Sequence, residues 1–177
     1  MDADHKSCSR AEKDTSKRPV LTINPERPGS DLAAAAAAAL AACSLALAPT
    51  DPARAGEALY RARDAYKFAI THVGLYSDSL DECKRTYKSD NWQQYAMFAA
   101  AWLFAATGEE QYQSDVVRWQ DASEDKSHRP TYAWASVYFG ACVLMLSLTG
   151  LERWALRSAA MFMQVQVNLD RPFLYNP

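Results

Sequence analysis

The sequence predicts an all-α fold built of helical hairpins, and three observations predict it. Apolar residues recur at helical spacing along most of the chain, and no stretch keeps the period-two alternation of a strand. The runs "WLFAATGEEQY" and "VLMLSLTGLERW" each place a Thr-Gly stop between two helical patterns, with an acidic residue and an aromatic just after. Their glycines, Gly108 and Gly150, stand 42 positions apart, a period that suits stacked helix pairs in a solenoid or toroid. Finally, "RPGSDLAAAAAAALAACSLAL", from Arg27 to Leu47, passes through seven consecutive alanines with no charge after Asp31.

The elements follow in order. Ser30 or Asp31 is the expected N-cap of the alanine-rich helix, its oxygen accepting a first-turn N–H, and the Asp31 carboxylate also suits the helix dipole. Leu32, Leu40, Leu45 and Leu47 are too few to form a solvent-facing amphipathic stripe. The alanines read either as low-complexity drift on a good helix former or as room for neighbouring helices to approach closely. Asp51 caps the next helix, with Pro52 at its first position, and Leu59, Ala62, Tyr66, Ala69 and Ile70 follow at helical spacing up to Gly74. A polar loop, "LYSDSLDECKRTYKSDN", precedes a helix from about Trp92 to Thr107, and Gly108 ends it. A short helix over "EEQYQSDVVRW", a charged loop "QDASEDKSHRP", a long apolar helix ending at Gly150 and a last helix over "LERWALRSAAMFMQVQV" complete the chain. That makes six helices, arranged as three hairpins.

The 177 residues, 49% hydrophobic with a net charge of −2, fit one domain with a sizeable core. Residues 1–29 read as an extended, loop-like segment of that domain and 30–177 as its helical body. A balanced charge without a basic run argues against a nucleic-acid or anionic-membrane partner. Cys8, Cys43, Cys83 and Cys142 show no metal-type spacing and read as buried free thiols. "MDADHKSCSR" is polar where a signal peptide needs an apolar stretch. Between Arg129 and Glu152 there is no charge, a length that could span a bilayer. Its Pro130, Gly140, Gly150 and hydroxyl residues instead favour a central helix, and no membrane partner is expected. Trp102, Phe104, Trp134 and Phe139 read as core aromatics.

Nearly the whole chain resembles the central part of a glycoside hydrolase family 9 endoglucanase. The runs that carry the resemblance are "DADHK" at 2–6, "RP" at 18–19, "PGSDLAA" at 28–34, "AAALAACS" at 37–44 and "YSDS" at 76–79. They continue with "AAAWLFAATGEEQY" at 99–112, "YAW" with "GACVLML" within 132–146, and "RPFLYNP" at 171–177. The resemblance implies a partial (α/α)6 toroid of about three helical hairpins, with the alanine helix in the inner ring. Both ends of such an arc expose apolar surface that a complete ring buries, so self-association through those ends is expected.

The resemblance also implies a chemistry. Inverting glycoside hydrolysis needs one carboxylate to activate water and one carboxylic acid to protonate the leaving oxygen. The family's aspartate base lies upstream of the matched region and its glutamate acid downstream, so no residue of this chain is expected to be catalytic. His5 corresponds to a sugar-binding histidine, although the family's tryptophan three residues on is Cys8 here. Tyr87 falls where the family places a cleft tyrosine, with Thr86 replacing its phenylalanine. Glu12 and Arg18 are retained without an assigned role. The substrate-binding candidates are therefore His5 and Tyr87.

Family members also hold calcium with an Asp-Glu pair at the head of the helix beginning "WQQYAMF", and with a third aspartate further on. Those positions are Gln94, Tyr95 and either Ala135 or Ser136 in this chain. Calcium needs several hard oxygen ligands, so no metal and no cofactor are expected here. The reading is a β-glucan-binding portion of a secreted endo-β-1,4-glucanase without its catalytic acids. The alternative is a non-catalytic helical interaction or glycan-binding module derived from that fold.

Overall fold

In the computed structural model, residues 10–15, 20–84, 88–123, 136–151 and 154 are described. Five long helices make up that part: α1 (Ser30–Leu47), α2 (Pro52–Thr71), α3 (Gln93–Thr107), α4 (Glu110–Ser123) and α5 (Tyr138–Thr149). Single helical turns cover Ala11–Lys13, Tyr76–Ser79 and Asp81–Cys83. Among the described residues there is no strand; Asn24 and Arg27 form an isolated bridge. The last expected helix lies outside the described residues, except Trp154.

The helix boundaries have local causes. Asp51 caps α2 by accepting the Arg54 N–H at 3.0 Å, with Pro52 just inside, as its sequence predicts. Gly108 and Gly150 take φ of +69° and +62°, the left-handed conformation that lets their amides close back onto Phe104 and Leu146. The start of α1 differs from expectation. Gly29 occupies its N-cap and both Ser30 and Asp31 sit in the first turn, because their side chains are committed to the segment after α2. The expected loop at 75–91 also contains two short turns, at Tyr76–Ser79 and Asp81–Cys83.

Helix α1 packs on both α2 and α3, α3 on α4 and α5, and α2 more lightly on α3. Helix α3 is thus central, flanked by α1 and α5, with α2 and α4 on the outside. The alanines explain how this is achieved. Ala34, Ala37, Ala41, Ala62, Ala69, Ala96, Ala99, Ala100 and Ala101 are all fully buried, so the contacts between α1, α2 and α3 are made over methyl groups. Many close van der Waals contacts of little individual weight replace a few large side chains. Met97, Leu103, Val116, Met145 and Trp154, all buried, supply the bulk of the same core. Trp102, Phe104 and Phe139 are half-buried at the edge of that core rather than within it. Cys83 and Cys142 are buried free thiols, whereas Cys43 is exposed, on the side of α1 away from its described neighbours α2 and α3. Helix α1 has the length and apolarity to cross a membrane; here it is the packed wall between α2 and α3.

Candidate functional site

The three inner helices begin at the same end of the arc, and polar side chains tie those beginnings together. At the head of α1, the four residues Pro28-Gly29-Ser30-Asp31 each meet the segment that follows α2. The Ser30 hydroxyl donates to the His72 carbonyl at 3.2 Å and accepts the Gly74 N–H at 3.1 Å. Asp31, only 3% exposed, accepts the Tyr76 N–H at 3.0 Å and the Leu32 N–H at 2.9 Å through one carboxylate oxygen. The ring of Pro28 lies so close to Gly74 that a Cβ there would sit 2.5 Å from Pro28 Cγ, and a Cβ on Gly29 would sit 2.8 Å from Ile23. The Ser79 hydroxyl closes the latch by donating to the Pro28 carbonyl.

The same segment leads to α3. Ser77 is buried, and its hydroxyl exchanges hydrogen bonds with the backbone N–H and carbonyl of Ser89, at 3.3 and 3.4 Å. Asn91 then accepts the Gln94 N–H at 3.3 Å at the head of α3. Gln94, 2% exposed, crosses to α5 and accepts the Val137 N–H at 3.1 Å through its side-chain oxygen. Nearby, the buried Gln120 of α4 donates to the Tyr138 hydroxyl at 3.3 Å. Burial of that phenol pushes its pKa up to about 12. These buried side chains of α3–α5 are neutral, and Asp31 is the only buried carboxylate among the described residues.

Tyr87 and His5 lie outside the described residues, as do Arg18, Cys8, Thr86, Trp134 and Ala135. The described part brackets Tyr87: Lys88 follows it directly and Ser89 is the buried anchor on Ser77. Glu12 is exposed on the short turn Ala11–Lys13. Beside α1 and α3 runs an apolar hollow of about 180 Å³ whose lining includes Ala38, Ala42, Tyr95, Phe98 and Trp102. Its described lining offers no carboxylate, thiol or imidazole, so those residues have the means to pack against something but not to activate water.

The residues at the expected calcium position do not suit that ion. Calcium takes six to eight oxygens, carboxylates prominent among them. Here the Gln94 oxygen already holds a backbone amide, and Ser136 contributes a neutral, 1%-exposed hydroxyl without a hydrogen-bond partner among the described residues. Among the described residues, no three His, Cys, Asp or Glu side chains gather into a metal-binding group.

The comparison with known proteins decides the family. The model of glycosyl hydrolase family 9 matches residues 1–172. This chain belongs to that family. Endoglucanase 15 of Arabidopsis thaliana is 37% identical over 145 residues, which are 82% of this chain and 29% of that protein. Endoglucanase B of Cellulomonas fimi is 36% identical over 160 residues, covering 86% of this chain and 15% of its own length. Among solved structures, the endoglucanase of the termite Nasutitermes takasagoensis superposes with a TM-score of 0.80 at 33% identity, over 88% of this chain and 36% of the termite enzyme. A cellulase of C. cellulolyticum superposes with a TM-score of 0.79 at 25% identity, and that cellulase has also been solved with cellobiose. The family 9 chain described here is therefore a partial (α/α)6 toroid, with α1, α3 and α5 as inner helices and α2 and α4 as outer ones. It spans less than a third of the length of these two curated relatives.

The sequence reached the family and the hairpins without revealing the latch. Nothing in "HVGLY" announces that Gly74 must accept a proline ring from Pro28, more than forty positions earlier, and nothing in "WQQY" announces that Gln94 bridges to α5.

Proposed function

We propose that this chain forms the central, glucan-lining portion of an endo-β-1,4-glucanase fold and carries none of its bond-breaking carboxylates. The family match over residues 1–172 is the observation that carries the reading. His5 and Tyr87 are the proposed sugar contacts, the imidazole as a hydrogen-bonding group and the phenol ring as a face for a pyranose. Inversion requires an acid and a base carboxyl about 6.5–9.5 Å apart across the scissile bond; we assign both to segments of the family fold other than this one. The proposed working compartment is extracellular, where the polymer is.

Two measurements on the 177-residue chain test this. Incubation with carboxymethylcellulose is expected to release no reducing sugar above blank, and turnover would end the assignment of a non-catalytic portion. Cello-oligosaccharide titration is expected to show weak binding that His5→Ala or Tyr87→Ala lowers about 3–10-fold, the scale of one aromatic or polar contact. Binding untouched by both substitutions would favour a helical interaction module instead.

A further inference from the structure

We propose that Gln94 is a metal-free clamp, holding the head of α3 to the head of α5 with a neutral amide at the position where the family resemblance puts calcium. The geometry is that of a completed junction. The Gln94 oxygen takes the Val137 N–H at 3.1 Å, and the Gln94 backbone N–H is held by Asn91. Asn91, Gln94, Gln120 and Ser136 are each no more than 2% exposed, so the described side chains of the junction are buried and neutral.

Charge decides between clamp and ion. A dication moved into such a place loses its hydration, and only carboxylates near at hand offset that loss. None is buried there among the described residues: Asp90 and Asp121, next in sequence to Asn91 and Gln120, are both exposed. An ion that drew the Gln94 oxygen toward itself would also strand the Val137 N–H, and an unpaired buried donor is itself costly. The amide avoids both penalties. It bridges two inner helices that are separated in sequence by a long connection, which is the mechanical task a bound cation performs when its ligands come from two segments. The inference rests on this junction and on the family's calcium position, and it stands whether or not the chain binds glucan.

The test is thermal unfolding of the full chain, with Gln94→Met as the near-isosteric variant that lacks the acceptor. Wild type is expected to melt within about 1–2 °C of the same temperature in EDTA and in millimolar CaCl2. Gln94→Met is expected to melt about 3–8 °C lower in both, the shift that one stranded buried donor produces in a domain of this size. A calcium-dependent rise of more than about 2 °C in wild type would overturn the proposal, as would a Gln94→Met melting point within about 2 °C of wild type. Should Gln94→Met not fold, hydrogen exchange at the Val137 amide of wild type gives the answer. Slow exchange that chelation leaves unchanged supports the clamp, and exchange that quickens in EDTA refutes it.

Discussion

The phenol of Tyr66, in α2, accepts the indole N–H of Trp119, in α4, at 2.9 Å, and donates its own proton to Asp115 at 2.9 Å. These two outer helices have no Cα atoms within 8 Å of each other, so side chains alone join them. Tyr66 and Trp119 are 4% and 7% exposed, Tyr112 packs edge-on against Tyr66 at 5.9 Å, and the exposed Arg63–Glu109 ion pair lies close by in both helices' sequence. Tyr66→Phe keeps the ring but strands the Trp119 N–H and one Asp115 contact. The expected cost is about 1–3 kcal/mol. Trp119→Phe should cost less once Tyr66 is already Phe, because the two residues share one network; a denaturant double-mutant cycle with additive effects would show that the clasp is not a unit.

The latch at the head of α1 gives a second prediction. Gly74→Ala places a methyl 2.5 Å from Pro28 Cγ, and a five-membered ring anchored in the backbone cannot swing aside. Overpacking of this kind costs about 1–3 kcal/mol. Gly56→Ala is the matched control, since nothing lies within 4 Å of the added methyl and alanine is the better helix former by about 1 kcal/mol. Chemical denaturation should therefore move in opposite directions for the two substitutions.

Both flanks of the arc expose apolar side chains. Leu32 and Leu45 of α1 are 49% and 39% exposed, and Val143 and Leu148 of α5 are 40% and 42% exposed. Apolar surface of that kind associates in water. The chain is expected to gain apparent mass with concentration in light scattering, and Leu45→Glu combined with Leu148→Glu should shift it toward monomer. Concentration-independent mass for wild type would show that these flanks do not drive association.

Stability should fall on the alkaline side for a reason readable from three acids, Tyr66 and Cys142 buried and Tyr138 half-buried. Burial pushes the Cys142 thiol from about 9 up to about 12 and the Tyr138 phenol from about 10 up to about 12, and it pushes Tyr66 up further still. Below pH 9 folded and unfolded chains hold the same protons at these groups, and they add no pH dependence. From pH 9 to 12 the unfolded chain releases protons that the folded chain keeps, so unfolding becomes progressively easier. Melting temperatures across that window should decline, and Cys142→Ala should remove the portion of the decline that begins nearest pH 9. A flat profile up to pH 12 would contradict the burial of these groups.

The helices were legible because their signals are local. Asp51-Pro52 starts α2, and Gly108 and Gly150 stop α3 and α5, each acting within a turn of its own position. The alanine run was legible only as a choice between drift and close approach. Burial of Ala34, Ala37 and Ala41 against α2 and α3 decides it for close approach. The capping at the head of α1 was misread for a physical reason: Ser30 and Asp31 have the chemistry of caps, and tertiary partners at His72, Gly74 and Tyr76 outbid the local ones. Size and spacing point to core for Trp102 and Phe104, yet both are half-buried and packed against the core cluster rather than inside it, because helical spacing does not say which face of α3 a neighbouring helix covers.

By itself, the sequence determined an all-α chain, its hairpin period, its family resemblance, the cap of α2 and the glycine stops of α3 and α5, because each is written in residues a few positions apart or in the order of such residues. Only the tertiary structure decided which alanine faces are buried, that Pro28 must meet a glycine at position 74, that Tyr66 and Trp119 join two outer helices, and that Gln94 reaches α5. Those contacts link residues about forty to fifty positions apart, and a side chain's choice among distant partners is set by where the helices bring them, not by its own propensity.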